Sequence, residues 1–323
     1  MATPSDEMKT KLTWRRFEDG EDQWDSFTDK IFLEDTSHKC PTYVHKTPPC
    51  QGSCPSGEDL RGWLAIVRGQ EKPAGDMSWQ EYAFRRSTEA NPFPSMMGRV
   101  CPAPCQDGCN RNEVEDFVGI NAVEQYIGDT ALENNYQFEA GPDTGKRVAV
   151  IGGGPAGMAA TFQLRRKGHS VAVFESQPEL GGMMRYGIPN YRIPRDKLAG
   201  EIQRIVDMGK VEVHTDTRVG EDITVEDLER DYDAILWAVG CWTGRGLPVP
   251  GWDDTPNCVS GVAFLKAFNE GRMKVTAEKV VCVGGGDTSI DVVSVARRLG
   301  HIEQTNPSDR PELVVQDGCV AHD

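Results

Sequence analysis

Short runs of consecutive apolar residues punctuate the second half of the chain and are sparser in its first third. Lys146 to Ile151 reads as a short buried strand. Pro155 to Lys167 carries Ala156, Ala159, Ala160 and Leu164 at helical spacing, and Gly168 stops it. Ser170 to Phe174 is the next strand, completing a βαβ unit. Asp233 to Val239 predicts another buried strand ending at Gly240. Lys279 to Val283 followed by Asp287 to Leu299 predicts a second strand-turn-helix. Upstream the signals are weaker. Short helices are expected at 57–68, with Ser56 as cap and Asp59 three residues on, and at 78–89 and 119–130. Gly141 to Gly145 reads as a linker. Residues 1–39 are charged and dotted with Trp14, Phe17, Trp24, Phe27 and Phe32, without a clear period.

This pattern predicts an α+β multidomain chain. A helical, cysteine-rich domain (40–140) follows an N-terminal extension (1–39). Doubly wound α/β dinucleotide-binding domains come next, one from 141 to 255 and another beginning at 256. The second ends at Asp323, before the further strands such a domain needs, so the chain is expected to be incomplete there.

The turn after the first strand holds the sharpest chemistry. In Gly152-Gly153-Gly154-Pro155-Ala156-Gly157, Gly152 permits the tight turn and Gly154 lets backbone approach a pyrophosphate. Gly157 lets helix and strand pack closely. The helix start offers unpaired N–H groups to phosphate. Glu175, followed by Ser176, closes the next strand at the offset of a ribose-binding acid, and its charge disfavours a 2′-phosphate. FAD or NAD therefore suits this site better than NADP. The paired Gly181 and Gly182, with Met183, Tyr186, Gly187 and Ile188 after them, leave bare backbone for a flat ring and favour FAD. Ala238 and Gly240 end a strand without bulk where a cofactor can pass. Gly284, Gly286, Asp287 and Thr288 repeat the turn with Ser289 in place of the third glycine, a second dinucleotide site. Asp291 sits in that helix's first turn, where an acid is also ordinary helix chemistry. One dinucleotide turn for a flavin and one for NAD(H) or NADP(H) suit hydride exchange.

Composition changes the picture for the first third. Only 38% of the chain is hydrophobic, below the usual ~45–50%, and the deficit falls where six cysteines gather: Cys40, Cys50, Cys54, Cys101, Cys105 and Cys109. A bound metal group would help to hold such a domain. Six cysteines with neighbouring prolines, fused to a flavin domain, favour [4Fe-4S] clusters; zinc and inert or disulfide cysteines are the competing readings. A flavin converts between the two-electron chemistry of a nicotinamide and the one-electron chemistry of a cluster. The formal charge of −15 disfavours nucleic acid and anionic membranes as partners. No apolar run reaches the ~20 residues of a membrane span, and Met1 to Lys11 lacks the apolar core of a secretory signal. The cytoplasm is the expected compartment.

Taken together, Pro49 to Pro55, Gly98 to Cys105, Val148 to Gly157, Leu180 to Pro189 and Gly284 to Asp291 resemble the family of the glutamate synthase small (beta) subunit. That family includes the N-terminal half of dihydropyrimidine dehydrogenase. The resemblance implies NAD(P)H:acceptor oxidoreductase activity, with FAD exchanging hydride with a nicotinamide and up to two [4Fe-4S] clusters linking FAD to a redox partner protein. It implies Cys54, Cys101 and Cys105 as ligands of one cluster, with Glu124 as the fourth and Gln125 as its alternative. The other would use Cys40, Cys50 and Cys109. Where the family usually has a further cysteine, this chain has Tyr43; nearby His45 offers a nitrogen. No side-chain general acid or base is implied for the hydride step. Ser56 to Asp59 and the stretch Asn306 to Pro311 point within the family to the branch that accompanies dissimilatory sulfite reductase in sulfur oxidation. A glutamate synthase large subunit is the alternative partner, a homo-oligomer is compatible with the sequence, and an electron-transfer or assembly module without turnover is the alternative class.

Overall fold

The computed structural model describes residues 47–302, apart from 115, 245, 253, 254, 256, 257 and 274–278. The aromatic N-terminal extension, Cys40, Tyr43, His45 and the stretch 306–311 lie outside the described residues.

The helical part begins with α1 (Pro49–Ser53), α2 (Leu60–Val67) and α3 (Trp79–Ser87). α2 is capped by Asp59, whose carboxylate accepts from Gly62 N, so the expected Ser56 cap is corrected. Asp59 stands directly before the first helical residue and reaches an orphan N–H within the first turn. Ser78 caps α3 by accepting from Glu81 N. Next come α4 (Pro94–Val100), α5 (Pro104–Asp107), a 3₁₀ turn (Asn110–Glu113) and α6 (Ile120–Glu133). α4 and α6 press backbone to backbone. A Cβ on Gly98 would stand 2.4 Å from Gln125 N, and one on Gly128 would stand 2.1 Å from Ser95 N. A core of Leu60, Trp63, Ile66, Phe84, Ile120 and Ile127 holds these helices together.

The α/β part follows: β1 (Arg147–Ile151), α7 (Pro155–Arg166), β2 (Ser170–Phe174), α8 (Met183–Tyr186), α9 (Arg195–Val206), β3 (Val211–His214), α10 (Val225–Asp231) and β4 (Ala234–Trp237). The strands form one parallel sheet in the order β3-β2-β1-β4. Val148 pairs with Val171 on one side and Ala234 on the other. Strand order therefore reverses at β1, and the crevice between the C-terminal ends of β1 and β4 is where open α/β sheets bind ligands. The expected linker at 141–145 is a packed strap: Gly141 N donates to Arg165 O, and Thr144 N donates to Gly168 O.

α11 (Gly261–Asn269) and α12 (Asp287–Ile302) complete the described chain and share a core of Phe264, Leu265, Phe268, Val292, Val295 and Leu299. The strand expected at 279–283 is not formed among the described residues; Val281 is 86% exposed. An isolated extended segment has no ladder to satisfy its backbone, and no described strand stands beside this one.

Contacts from α9 tie the helical part to the α/β part. Glu201 of α9, fully buried, accepts from Ser95 N (2.7 Å) and Met96 N (3.1 Å), capping α4 from another element. Arg204 of α9 lies over the rings of Phe84 and Phe138. Asp129 of α6 accepts from Arg99 and meets Lys197 of α9 at 3.2 Å.

Candidate functional site

The switch-point crevice is a cleft of about 420 Å³. Gly152, Gly154, Pro155, Ala156, Glu175, Ser176, Gly182, Met183, Ala238 and Gly240 all line it. Gly157, Gly181, Tyr186, Gly187 and Ile188 are not among the lining residues. Gly157 is the packing glycine, since a Cβ there would meet Gly152 O at 1.9 Å. Gly152 has φ 107° and Gly182 φ 49°, both in the left-handed region. A Cβ on Gly182 would stand 2.7 Å from Gly154 Cα, so the two glycine turns meet across bare backbone. The N-terminus of α7 opens into the cleft without a side-chain cap, its first-turn N–H groups free for an anion.

Glu175 is buried, and its carboxylate shapes the turn. Oε2 accepts from Gly153 N at 2.8 Å, and Oε1 accepts from Gln177 N at 2.8 Å. Oε1 also accepts from Ser176 Oγ at 3.3 Å, so it is Oε2 that keeps a further lone pair for a ribose hydroxyl. Val239 lines the cleft with Ala238 and Gly240, and the rest of the far wall was not evident from the sequence: Thr217, Arg218 and Val219 after β3, and Trp237 and Trp242 around the end of β4. Trp242 packs on Tyr186 with centroids 5.8 Å apart. These residues have no motif, and the sheet order alone brings them to the glycine turn. Glycine turns that a Cβ would fill, free helix N–H groups and a buried acid fit a dinucleotide such as FAD.

At the second turn, Gly284 has φ 132° and faces Ser289, while Cβ atoms on Gly285 or Gly286 would meet open space. Asp287 opens α12. Thr288 lies by Gly261, and Asp291 accepts from Arg192 Nη1 at 2.7 Å, so its charge has a partner beyond the helix.

The cysteines fall into two groups. Cys50 in α1 lies beside Cys109, and burial pushes its thiol up. Cys101, Cys105 and Cys54 lie near one another, with Glu124 close by. Burial raises Cys101, and it raises Cys105 to about 11. α1 and α5 are packed so tightly that a Cβ on Gly108 would stand 2.2 Å from Ser53 Oγ. Glu124, buried in α6, faces these thiols; burial and the neighbouring Glu58 push it up to about 9 against a 2.6 Å hydrogen bond from Asn91. Gln125 instead presents its backbone to Gly98. Burial lifts Glu58 to about 7, and its Oε2 has no hydrogen-bond partner. Thiols and carboxyls crowded in low dielectric are costly as anions unless a cationic group joins them. Iron would supply that charge, so the donor set fits a thiolate-held cluster. No three described His, Cys, Asp or Glu side chains close on a single-ion shell. Cluster ligands each meet a separate iron and stand farther apart than the four around one zinc.

No described helix is long and apolar enough to cross a membrane. Residues 146–315, just over half the chain, match the family model described as pyridine nucleotide-disulphide oxidoreductase. Residues 23–136 match that of dihydropyrimidine dehydrogenase domain II, 4Fe-4S cluster. Among curated proteins, the chain is 35% identical over 296 residues to NADPH-Fe(3+) oxidoreductase subunit beta of Geobacter sulfurreducens, covering 85% of this chain and 42% of that one. It is 34% identical to NADP(+)-dependent formate dehydrogenase subunit beta of Moorella thermoacetica (80% and 39%). It is 35% identical to the glutamate synthase [NADPH] small chain of Mycobacterium tuberculosis (79% and 53%). The chain thus spans about half the length of these relatives, or less.

Proposed function

The chain belongs to the pyridine nucleotide-disulphide oxidoreductases, within the iron-sulfur flavoproteins typified by the glutamate synthase small subunit, and on that premise we propose that it is an NAD(P)H:acceptor oxidoreductase feeding a partner protein. FAD, when bound, would supply the conversion between the two-electron hydride chemistry of a nicotinamide and the one-electron chemistry of [4Fe-4S] clusters. The chain's own residues supply position. The α7 N-terminus and Gly154 receive the pyrophosphate, Glu175 accepts from the ribose, and Gly182 and Met183 leave room for the ring. Cys54, Cys101, Cys105 and Glu124 hold one cluster, and Cys50 and Cys109, with Cys40, contribute to a second. The turn at Gly284 to Thr288 receives the nicotinamide dinucleotide. The domain limits read from the sequence, 40–140, 141–255 and 256–323, are part of the proposal. So is a reducing cytoplasm, which suits described cysteines that are all free.

The observation that supports this reading is the presence, in one folded unit, of an open glycine-backed cleft and a separate group of half-buried thiols around the buried Cys105. The partner is proposed as a class, a redox enzyme able to exchange single electrons. The named relatives include subunits of iron(III) reductase, formate dehydrogenase and glutamate synthase, and none carries the sulfite reductase association. Affinity capture of the full-length protein from its own cells discriminates a sulfite reductase from a glutamate synthase large chain.

The test is anaerobic purification of the full-length protein, assay of FAD, iron and acid-labile sulfide, and titration with NADPH and with NADH. Flavin absorbance should bleach with one or both nucleotides. Cys101→Ser should lower iron content and slow transfer to a one-electron acceptor, with flavin reduction preserved. An iron-free protein, or a flavin that neither nucleotide reduces, refutes the reading.

A further inference from the structure

α8 is a four-residue helix whose backbone N–H groups are spent locally. Arg185 and Tyr186 donate to Gly182 O, and Gly187 and Ile188 donate to Met183 O. Its outward carbonyls have no such partners, as at any helix end. Two side chains satisfy them. Arg195, at the start of α9, donates to Met184 O (2.9 Å) and Ile188 O (2.8 Å). Asn269, the last residue of α11, donates to Tyr186 O at 2.9 Å. Asn269 Oδ1 in turn accepts from Arg195 Nη2 at 2.9 Å. The guanidinium is half-buried, and its fork and the amide close a clamp around three carbonyls of one short loop.

The two ends of that clamp belong to different functional pieces. The loop carries Gly182 and Met183 into the first cleft, whereas α11 shares its core with α12, the helix of the second glycine turn. Two further contacts cross the same seam. Arg192 pairs with Asp291 of α12 at 2.7 Å, and the guanidinium of Arg298, also on α12, lies 3.8 Å from the Tyr191 ring centroid.

We infer that Arg195 and Asn269 are positioning residues that lock the cleft loop to the body carrying the second dinucleotide turn, so that flavin and nicotinamide sites keep a fixed mutual geometry. The inference rests on the proposed function for what the two sites hold, but the clamp itself is a statement about this chain's backbone.

Asn269→Ala removes both of its contacts, Asn269→Asp keeps the acceptor for Arg195 and loses the donor to Tyr186 O, and Arg195→Lys keeps the charge without the fork. In the flavin-free full-length protein, amide exchange at 184–188 should quicken by about tenfold or more in Asn269→Ala and in Arg195→Lys. In the flavin-loaded protein, flavin content and nicotinamide affinity should hold while single-turnover flavin reduction slows by about tenfold, the order expected from a small misplacement of reacting groups. Asn269→Asp should fall between the wild type and Asn269→Ala. Unchanged exchange at 184–188 overturns the clamp, and an unchanged reduction rate overturns its role in positioning. If the wild-type flavin is reduced by neither nucleotide, the proposed function and the positioning role fail together, and amide exchange alone decides the clamp.

Discussion

Gly157 and Glu175 show how single residues shape the first cleft. A Cβ at 157 would stand 1.9 Å from the Gly152 carbonyl oxygen, which is backbone and cannot swing aside. Gly157→Ala should therefore cost about 1–3 kcal/mol of stability, read by denaturant unfolding, and should reduce retained FAD. Glu175→Ala leaves Gly153 N and Gln177 N without their acceptor, at about 1–3 kcal/mol for each buried group left unpaired. FAD retained after desalting should fall sharply. Both residues were legible in the sequence because their chemistry is local: a strand, a turn and an acid at a fixed offset. Trp237, Trp242 and Arg218 were not, since they reach the cleft only through the order of strands.

At the scale of elements, the seam between α4 and α6 decides where Cys101 stands relative to Glu124. Gly128→Ala would place a methyl 2.1 Å from Ser95 N and push the helices apart. The expected result is lower iron content with FAD retained, measured on one preparation. Asp129 braces the same seam. Burial would raise its pKa, but hydrogen bonds from Arg99 and Ser95 and the nearby Lys197 outweigh burial and hold it below the ordinary range. A depressed native pKa adds stability above the unfolded value of about 3.9, and that stability is lost as pH falls through the native one. The stability gap between wild type and Asp129→Asn should hold steady near neutrality and shrink in acid, measured by denaturant unfolding across pH. Helix α9 was hard to read from sequence because Glu201 and Arg204 sit on its buried side among Leu198, Ile202 and Ile205. Those charges blur the apolar stripe. The strand expected at 279–283 failed for the opposite reason: its pattern was right, but pairing depends on a neighbour that a local pattern does not contain.

Across the whole molecule, Glu201 joins the two halves of the proposed chemistry. Glu201→Ala should lower iron and flavin content together, whereas Gly128→Ala should affect iron alone; metal and flavin assays on both variants separate the cases. The feature with the longest reach is α4 itself. Its first turn is fixed by a side chain of the sheet domain, and Cys101 follows its last residue. Seven residues of helix span about 10 Å. The helix therefore works as a ruler between the nucleotide fold and the iron. One inserted residue would lengthen it by about 1.5 Å and swing Cys101 about 100° around the axis, so the length of this short segment is expected to tolerate no change.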